Sequence, residues 1–298
     1  MKMLEFINNE ESNKPEVIFD RVIDRLNEMR DGDCNKGTFG TLSCICGSYG
    51  MAGAAMLCGS AAVTAGAGLV KMIIPESIYS ICASNLWENV FVPLSSSKSG
   101  TISSDSIDRI IEEVNSSTAA VIGCGLKVSD DTIAICDSVI KNTARPLIID
   151  ADGLNCVSLH TDILLQRKAP TIITPHPGEM SRLCGSSVSD VQSNRLDTAV
   201  NFAKKHRCIV VLKGVNTIIT NGKDVVVNPT GNGCLAKGGS GDVLAGLIGA
   251  LVCQGIDCFQ AAVAGVYLHG FAADECIDEI SSSCVTARDI IFAVKYLM

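Results

Sequence analysis

From Asn228 to Asp242 the chain reads Asn-Pro-Thr-Gly-Asn-Gly-Cys-Leu-Ala-Lys-Gly-Gly-Ser-Gly-Asp and then runs into an apolar, helix-like segment, Val243 to Cys253. Gly238, Gly239 and Gly241 let the backbone turn sharply and come close to a ligand. Where such a loop opens a helix, the first amides lack intrahelical acceptors and point outward with the positive end of the dipole, an arrangement that suits phosphate. Asp242 has two readings there. It could cap the helix, since Ser, Asp and Asn are favoured at helix starts. Ser240 could already supply a cap, however, and a carboxylate beside a phosphate repels it unless it has chemistry to do. Removing a proton from an attacking hydroxyl is such chemistry. The pattern is neither a Walker loop, which needs Gly-Lys-Ser/Thr after a four-residue gap, nor a dinucleotide fingerprint after the first strand.

Further polar and glycine clusters follow apolar runs elsewhere: Gly47-Ser48-Tyr49-Gly50, Gly123-Cys124-Gly125, Asp150-Ala151-Asp152, Thr174-Pro175-His176 and Lys213-Gly214. In an open α/β sheet all would lie on the carboxyl rim of the strands, where ligands gather. Each also has a plainer reading. Gly47, Gly50 and Gly53 could make only a tight turn. Asp150 and Asp152 alternate as the chain leaves a strand, so one can face the cleft while the other caps the next helix. His176 stands between two prolines that hold the backbone extended and fix where the imidazole points. Glu179 could serve the same site or begin a helix. Lys213 could reach solvent or meet a phosphate. His269 reads as a packed histidine.

These residues need a scaffold, and the scaffold is legible. The strand candidates are Thr41 to Cys46, Leu69 to Ile74, Ala119 to Ile122, Leu147 to Ile149, Thr171 to Ile173 and Ile209 to Leu212. They alternate with helical stretches, the pattern of a mostly parallel sheet wrapped by helices. Thr217 to Thr220 and Val225 to Asn228, joined by Asn221-Gly222-Lys223-Asp224, form a hairpin. Val17, Ile18, Val22, Ile23, Leu26 and Met29 recur at helical spacing, so residues 1–30 form an N-terminal helical extension whose role is packing. Late helices fall around Cys258 to Ile277 and Thr286 to Leu297.

The chain has 298 residues, 47% of them hydrophobic but only 4% aromatic, so the core must be built from Ala, Val, Ile, Leu and Cys. No long Pro- or Ser-rich linker interrupts it, and one domain over residues 1–298 is expected. A net charge of −8 argues against a nucleic-acid surface. Met1-Lys2-Met3-Leu4-Glu5 lacks an apolar export segment, and no run reaches the roughly 18 to 20 apolar residues of a membrane span, so a cytoplasmic location is expected. The 15 cysteines lie in apolar segments and read as free thiols. Cys44 and Cys46 would project to the same side of a strand, but no second Cys pair or nearby His accompanies them at zinc-like spacing.

Taken in order, these motifs resemble the ADP/ATP-dependent NAD(P)H-hydrate dehydratases of the ribokinase-like superfamily. The resemblance runs from Lys36 onward: Lys36-Gly-Thr-Phe-Gly40, Gly47-Ser48 with Gly53-Ala54-Ala55, Ser60 through Gly66-Ala-Gly-Leu-Val70, Gly123-Cys-Gly-Leu126, Asp150-Ala-Asp152, Thr174-Pro-His-Pro-Gly-Glu179, Leu212-Lys-Gly214, Asn228-Pro-Thr-Gly-Asn232 and Gly238-Gly-Ser-Gly-Asp-Val243. Many members read Thr-Gly-Asn-Pro-Gly-Met-Ala-Thr-Gly-Gly-Thr-Gly-Asp, whereas this chain has Gly233, Cys234, Leu235, Lys237 and Ser240, departures that keep the glycines and the acid.

The resemblance implies a ribokinase-like three-layer sandwich. It implies dehydration of the S form of the 6-hydroxy hydrate of NADH or NADPH, driven by phosphorylation of the hydroxyl from ADP or ATP. Asp242 would be the base. Lys213, Gly214, Val215, Asn216 and Thr217, with Gly239, Ser240 and Gly241, would hold the nucleotide. Gly53, Ala54, Gly125 and His176, with Asp242, would line the hydrate site. Mg2+ is the expected cofactor, with ligands not assignable from sequence. The epimerase domain fused in many members finds no room here, so an epimerase is expected as a separate functional partner. Apolar late helices suit a homo-oligomer such as a tetramer. Two other readings share the loop: a ribokinase-like kinase of a vitamin-precursor alcohol, which would release a stable phosphorylated product, and a silent nucleotide sensor, which would lack the acid.

Overall fold

A computed structural model describes residues 14–298. The expectations placed on Met1 to Glu5 and on the first part of the N-terminal extension lie outside the described residues. The rest of that extension is helix α1 (Pro15–Asp31), which opens with proline in its first turn and buries Ile18, Phe19, Val22 and Leu26.

The alternation of apolar runs becomes β1 (Thr41–Ile45), α2 (Ala52–Thr64), β2 (Leu69–Pro75), α3 (Tyr79–Ala83), β3 (Val90–Leu94), α4 (Ile107–Asn115), β4 (Ala119–Ile122), α5 (Asp130–Asn142), β5 (Leu147–Ile149), α6 (Asp152–Val157) and β6 (Thr171–Ile173). There follow α7 (Pro177–Cys184), α8 (Val188–Ser193), α9 (Arg195–His206), β7 (Ile209–Leu212), β8 (Ile218–Thr220), β9 (Val225–Val227), α10 (Ser240–Cys253), α11 (Cys258–Glu279) and α12 (Ala287–Val294). The strands form one nine-stranded sheet in the order β3-β2-β1-β4-β5-β6-β7-β8-β9. Pairing is parallel from β3 to β7 and antiparallel through β8 and β9.

Side chains alternate across a pleated strand, and β5 shows the consequence. Ile148 joins one core with Leu42, Val121 and the apolar faces of α1, α2, α10 and α11. Its neighbours Leu147 and Ile149 join the other, with Ile122, Ile173 and residues of α4, α5 and α9. The sheet is thus the middle of three layers. The helix α10, whose Gly246 and Gly249 let it pack closely on α2 and on Leu42 and Val121, lies against the sheet centre.

Sequence reasoning missed β3. It carries Pro93 and pairs only with β2 at the end of the sheet, a position that tolerates a missing donor. It also started α10 late: the helix begins at Ser240, not Val243. No helix among the described residues is long and apolar enough to cross a membrane.

Candidate active site at the strand ends

Beyond their strands the rim loops continue the stitching of the sheet. The Gly47 amide donates to Cys124 O at 2.8 Å, Asp150 to Ile122 O at 3.1 Å, Thr174 to Ile149 O at 3.2 Å, and Lys213 to Pro175 O at 2.9 Å. The Ser48 hydroxyl donates to Gly125 O at 2.8 Å. Gly123 is at φ +125°, in backbone contact with Asp150 and Gly153, so only glycine lets these two loops meet. The sequence motifs therefore gather on one edge.

Asp150 is the charged hub. It is 1% exposed, and its Oδ1 accepts from the Thr174 hydroxyl at 2.6 Å and from Lys213 Nζ at 2.8 Å. Lys213 Nζ also lies 3.9 Å from Glu179 Oε2. Burial alone would pull the ammonium down, but Asp150 and Glu179 outweigh it and hold it above its ordinary range. Glu179 is pushed up by burial, with Asp150 adding to the effect and Lys213 opposing it. Asp152 turns the other way, accepting from the Lys127 amide at 2.8 Å and from Asn155 Nδ2 at 3.2 Å. The alternation expected of this pair holds, although Asp152 pins a loop and does not cap a helix by its side chain.

The Asp242 carboxylate, half-buried, joins Asp150 and the Cys124 thiol; their ligand atoms lie within 4.8 Å of one another. Burial, then the neighbouring Cys124 and Asp150, push its pKa up to about 9 against the pull of Lys213. It does not cap α10: the position before the helix is Gly239, at φ +97°, with no side-chain cap. Nor does Ser240, contrary to expectation, because as the first residue of the helix it directs its hydroxyl back to the Leu235 and Lys237 carbonyls at 2.7 and 3.1 Å. Among the described residues no acceptor pairs with the amides of Gly241 and Asp242, so both are free for an anion. A Cβ on Gly241 would stand 3.4 Å from Lys213 Nζ and 3.6 Å from Asp150 Oδ2, which places the glycine loop directly over the charged hub.

The loop is held from outside. Asp274, which sequence reasoning did not single out, accepts from the Gly231 amide and Asn232 Nδ2, both at 2.8 Å. Lys237 Nζ donates to Ser283 O and Val285 O at 2.6 and 2.5 Å. The signal for Asp274 is faint, since it is one of four acids, with Glu275, Asp278 and Glu279, in the last turns of α11.

Of the expected hydrate-site residues, Gly125 and Ala54 adjoin: a Cβ on Gly125 would lie 2.7 Å from the Ala54 Cβ. Gly53 opens onto a groove of about 850 Å³ also lined by Leu57, Ser60, Gly238, Thr286 and Arg288. His176 caps α7, its Nδ1 accepting from Gly178 and Glu179 amides at 3.0 and 3.3 Å, while its Nε2 lies 3.3 Å from Glu179 Oε1. Burial, then Lys213 and Arg182, lower its pKa, in keeping with a neutral ring. Val215 is 90% exposed and Asn216 sits at φ +55°, at the tip of the loop that follows Lys213. Thr217 closes this loop through its hydroxyl to Gly214 O at 2.9 Å, and Arg195 holds its base through the Leu212 and Lys213 carbonyls.

The family model for NAD(P)H-hydrate dehydratase matches residues 42–295. A bifunctional NAD(P)H-hydrate repair enzyme of Moorella thermoacetica is 35% identical over 271 residues, which are 90% of this chain and 51% of that protein, so the chain spans about half the length of that relative. An ADP-dependent (S)-NAD(P)H-hydrate dehydratase of Neisseria meningitidis is 35% identical over 83% of this chain and 80% of its own. The crystal structure of the ADP/ATP-dependent NAD(P)H-hydrate dehydratase of Bacillus subtilis, co-crystallised with ATP/Mg2+, superposes with a TM-score of 0.78 at 32% identity, covering 90% of this chain and 92% of that one.

Proposed function

This chain belongs to the NAD(P)H-hydrate dehydratase family, with a ribokinase-like sandwich, and from that premise we propose that it dehydrates the S form of NADH or NADPH hydrate at the expense of ADP or ATP. The observation that carries the reading is Asp242, a carboxyl at a helix start that caps nothing, beside two unpaired amides and over a Lys–Asp pair whose carboxylate is buried.

A ring hydroxyl leaves poorly as hydroxide. Asp242 takes its proton as the oxygen attacks the terminal phosphorus of the nucleotide, which departs as AMP or ADP. The Gly241 and Asp242 amides receive charge growing on the transferred phosphoryl oxygens. The phosphate then leaves with the C–O bonding electrons, the ring nitrogen lone pair assists, and loss of a proton from the adjacent carbon restores the reduced nicotinamide. Lys213 through Thr217, with Gly239, Ser240 and Gly241, hold the nucleotide, the serine by its backbone alone because its hydroxyl is engaged. Gly53, Ala54, Gly125 and His176 line the hydrate side.

Mg2+ takes hard oxygen donors and is often held by one or two carboxylates together with substrate phosphates. Asp150, beside Asp242, is such a donor, and its Oδ2 stands at the glycine loop, so the residues fit it while Asp242 is left free as the base. When bound it supplies neutralising charge for the phosphates. An epimerase that interconverts the two hydrate forms would be the functional partner. Fifteen cysteines, most of them in the apolar core, suit a reducing compartment such as the cytosol. Exposed Phe292 and Tyr296 on and beside α12 support self-association.

The test mixes the purified chain with acid-hydrated NADH, Mg2+ and ADP or ATP and follows the reduced-nicotinamide absorbance. Recovery that requires nucleotide supports the reading. A stable phosphorylated alcohol without recovery would favour the kinase instead.

A further inference from the structure

The folded chain supplies what linear spacing withheld. Cys46 follows β1, Cys58 lies in the middle of α2 and Cys124 lies in the loop after β4, and their sulfur atoms are within 4.8 Å of one another, all fully buried. A fourth, Cys44 Sγ, is 4.0 Å from Cys58 Sγ. Structural zinc holds thiolates at about 2.3 Å in a tetrahedron, which sets sulfurs about 3.8 Å apart. Contraction of less than about 1 Å would bring the triad there. Cys124 is also the member shared with the Asp150–Asp242 group, so the two clusters are continuous.

We propose that Cys46, Cys58 and Cys124 form a capture site for a thiophilic divalent cation of the Zn2+ class, reached from the Asp242 side, and that its occupation silences Asp242. The two metals of this site are separated by donor chemistry: Mg2+ takes the oxygens, whereas a soft cation takes the sulfurs. On binding, each of the three thiols gives its proton to solvent, and the metal with three thiolates carries one net negative charge. The Lys213 ammonium, paired with Asp150 beside Cys124, balances part of it. Asp150 and Asp242 both stand beside Cys124, but Asp150 already accepts from Thr174 and Lys213, so the fourth position would fall to Asp242, and a carboxylate bound to the metal cannot take a proton. The same burial that makes these thiols inert to solvent reagents keeps a captured metal from water.

Binding stands on geometry alone, while the silencing rests on the function proposed above, and the experiment separates them. The reduced, metal-free chain, with exposed Cys34, Cys184 and Cys284 replaced by serine, is titrated with Cd2+ as an ultraviolet-visible surrogate and dialysed against Zn2+ for elemental analysis. The expected result is one tightly held equivalent with a thiolate-to-metal charge-transfer band. Cys58→Ser and Cys46→Ser should each weaken binding by about 100-fold or more while the far-ultraviolet spectrum is kept. Absence of a held equivalent in the chain with its triad intact overturns the site without recourse to any variant, as does a band unchanged in both variants. In the hydrate assay with excess Mg2+, one equivalent of Zn2+ should stop turnover of the parent and spare Cys58→Ser. Tight binding that leaves parental turnover unchanged overturns the silencing and leaves the site.

Discussion

Asp242 is a carboxyl whose surroundings favour its neutral form up to about pH 9, yet the proposed chemistry asks it to accept a proton. The two are compatible if positive charge arrives with the nucleotide and its metal, and the free protein must then reveal the raised pKa. The pH profile of kcat/KM, which reports the free protein, should climb about tenfold per unit up to about pH 9 and then level. A profile already flat at neutral pH would remove Asp242 as the base. Asp242→Asn should lower kcat by about 10²–10⁴. It should also stabilise the fold. The carboxyl titrates at 3.8 in ordinary surroundings and about 9 here, so the folded chain keeps a proton the unfolded chain has released, and stability is lost as pH rises through that window. The gain in Tm of the asparagine variant should therefore be larger at about pH 8 than at about pH 5. Lys213→Met tests the hub from the other side: leaving Asp150 and Glu179 buried without their cation should cost about 3–5 kcal/mol in chemical denaturation. Asp150 and Lys213 were legible as candidates from their places after strands, and Asp242 from the glycine loop that precedes it. Their pairing was not, because Asp150 and Lys213 are 63 positions apart and only the order of the sheet brings β5 and β7 within two strands of each other.

The start of α10 works because a glycine at φ +97° delivers the chain into the helix without spending a side chain on a cap. Gly239→Ala puts a Cβ 2.5 Å from Leu57 Cδ1 in a left-handed backbone, at about 1–2 kcal/mol for the conformation alone. The nucleotide KM should rise with kcat less affected, since the amides lose their aim while Asp242 keeps its neighbours. Equal KM in wild type and variant would mean that this turn does not set the amides. The helix itself was readable from its apolar run, but its first residue was not. A serine beside glycines looks like a cap until its hydroxyl is seen turned back to Leu235. The parallel strands were readable for a similar reason, being short β-branched runs buried on both faces. β3 was not, because Pro93 breaks the pattern that a central strand would need and only the sheet's edge excuses it.

Over the whole molecule, the shortage of aromatics dictated a core of small apolar side chains, and thiols fill it on both faces of the sheet. Nine of them, Cys44 and Cys58 among them, lie in the core on the α10 side, and Cys136, Cys156 and Cys208 lie in the other. Composition made this core foreseeable; the convergence of Cys46, Cys58 and Cys124 depended on three elements meeting and could not be counted from spacing. The distribution makes the cysteines reporters of how the layers come apart. A neutral thiol-reactive dye should label Cys34, Cys184 and Cys284 quickly in the native chain and reach the other twelve only on unfolding. Because the two cores share the single sheet and every strand contributes to both, opening one layer exposes the sheet face that the other depends on. The twelve should then be modified in one kinetic phase, with mass spectrometry finding either three labels or fifteen. Species carrying six labels, with Cys136, Cys156 and Cys208 modified ahead of the rest, would show that the layer of α4, α5 and α9 opens independently of the one that holds Asp242.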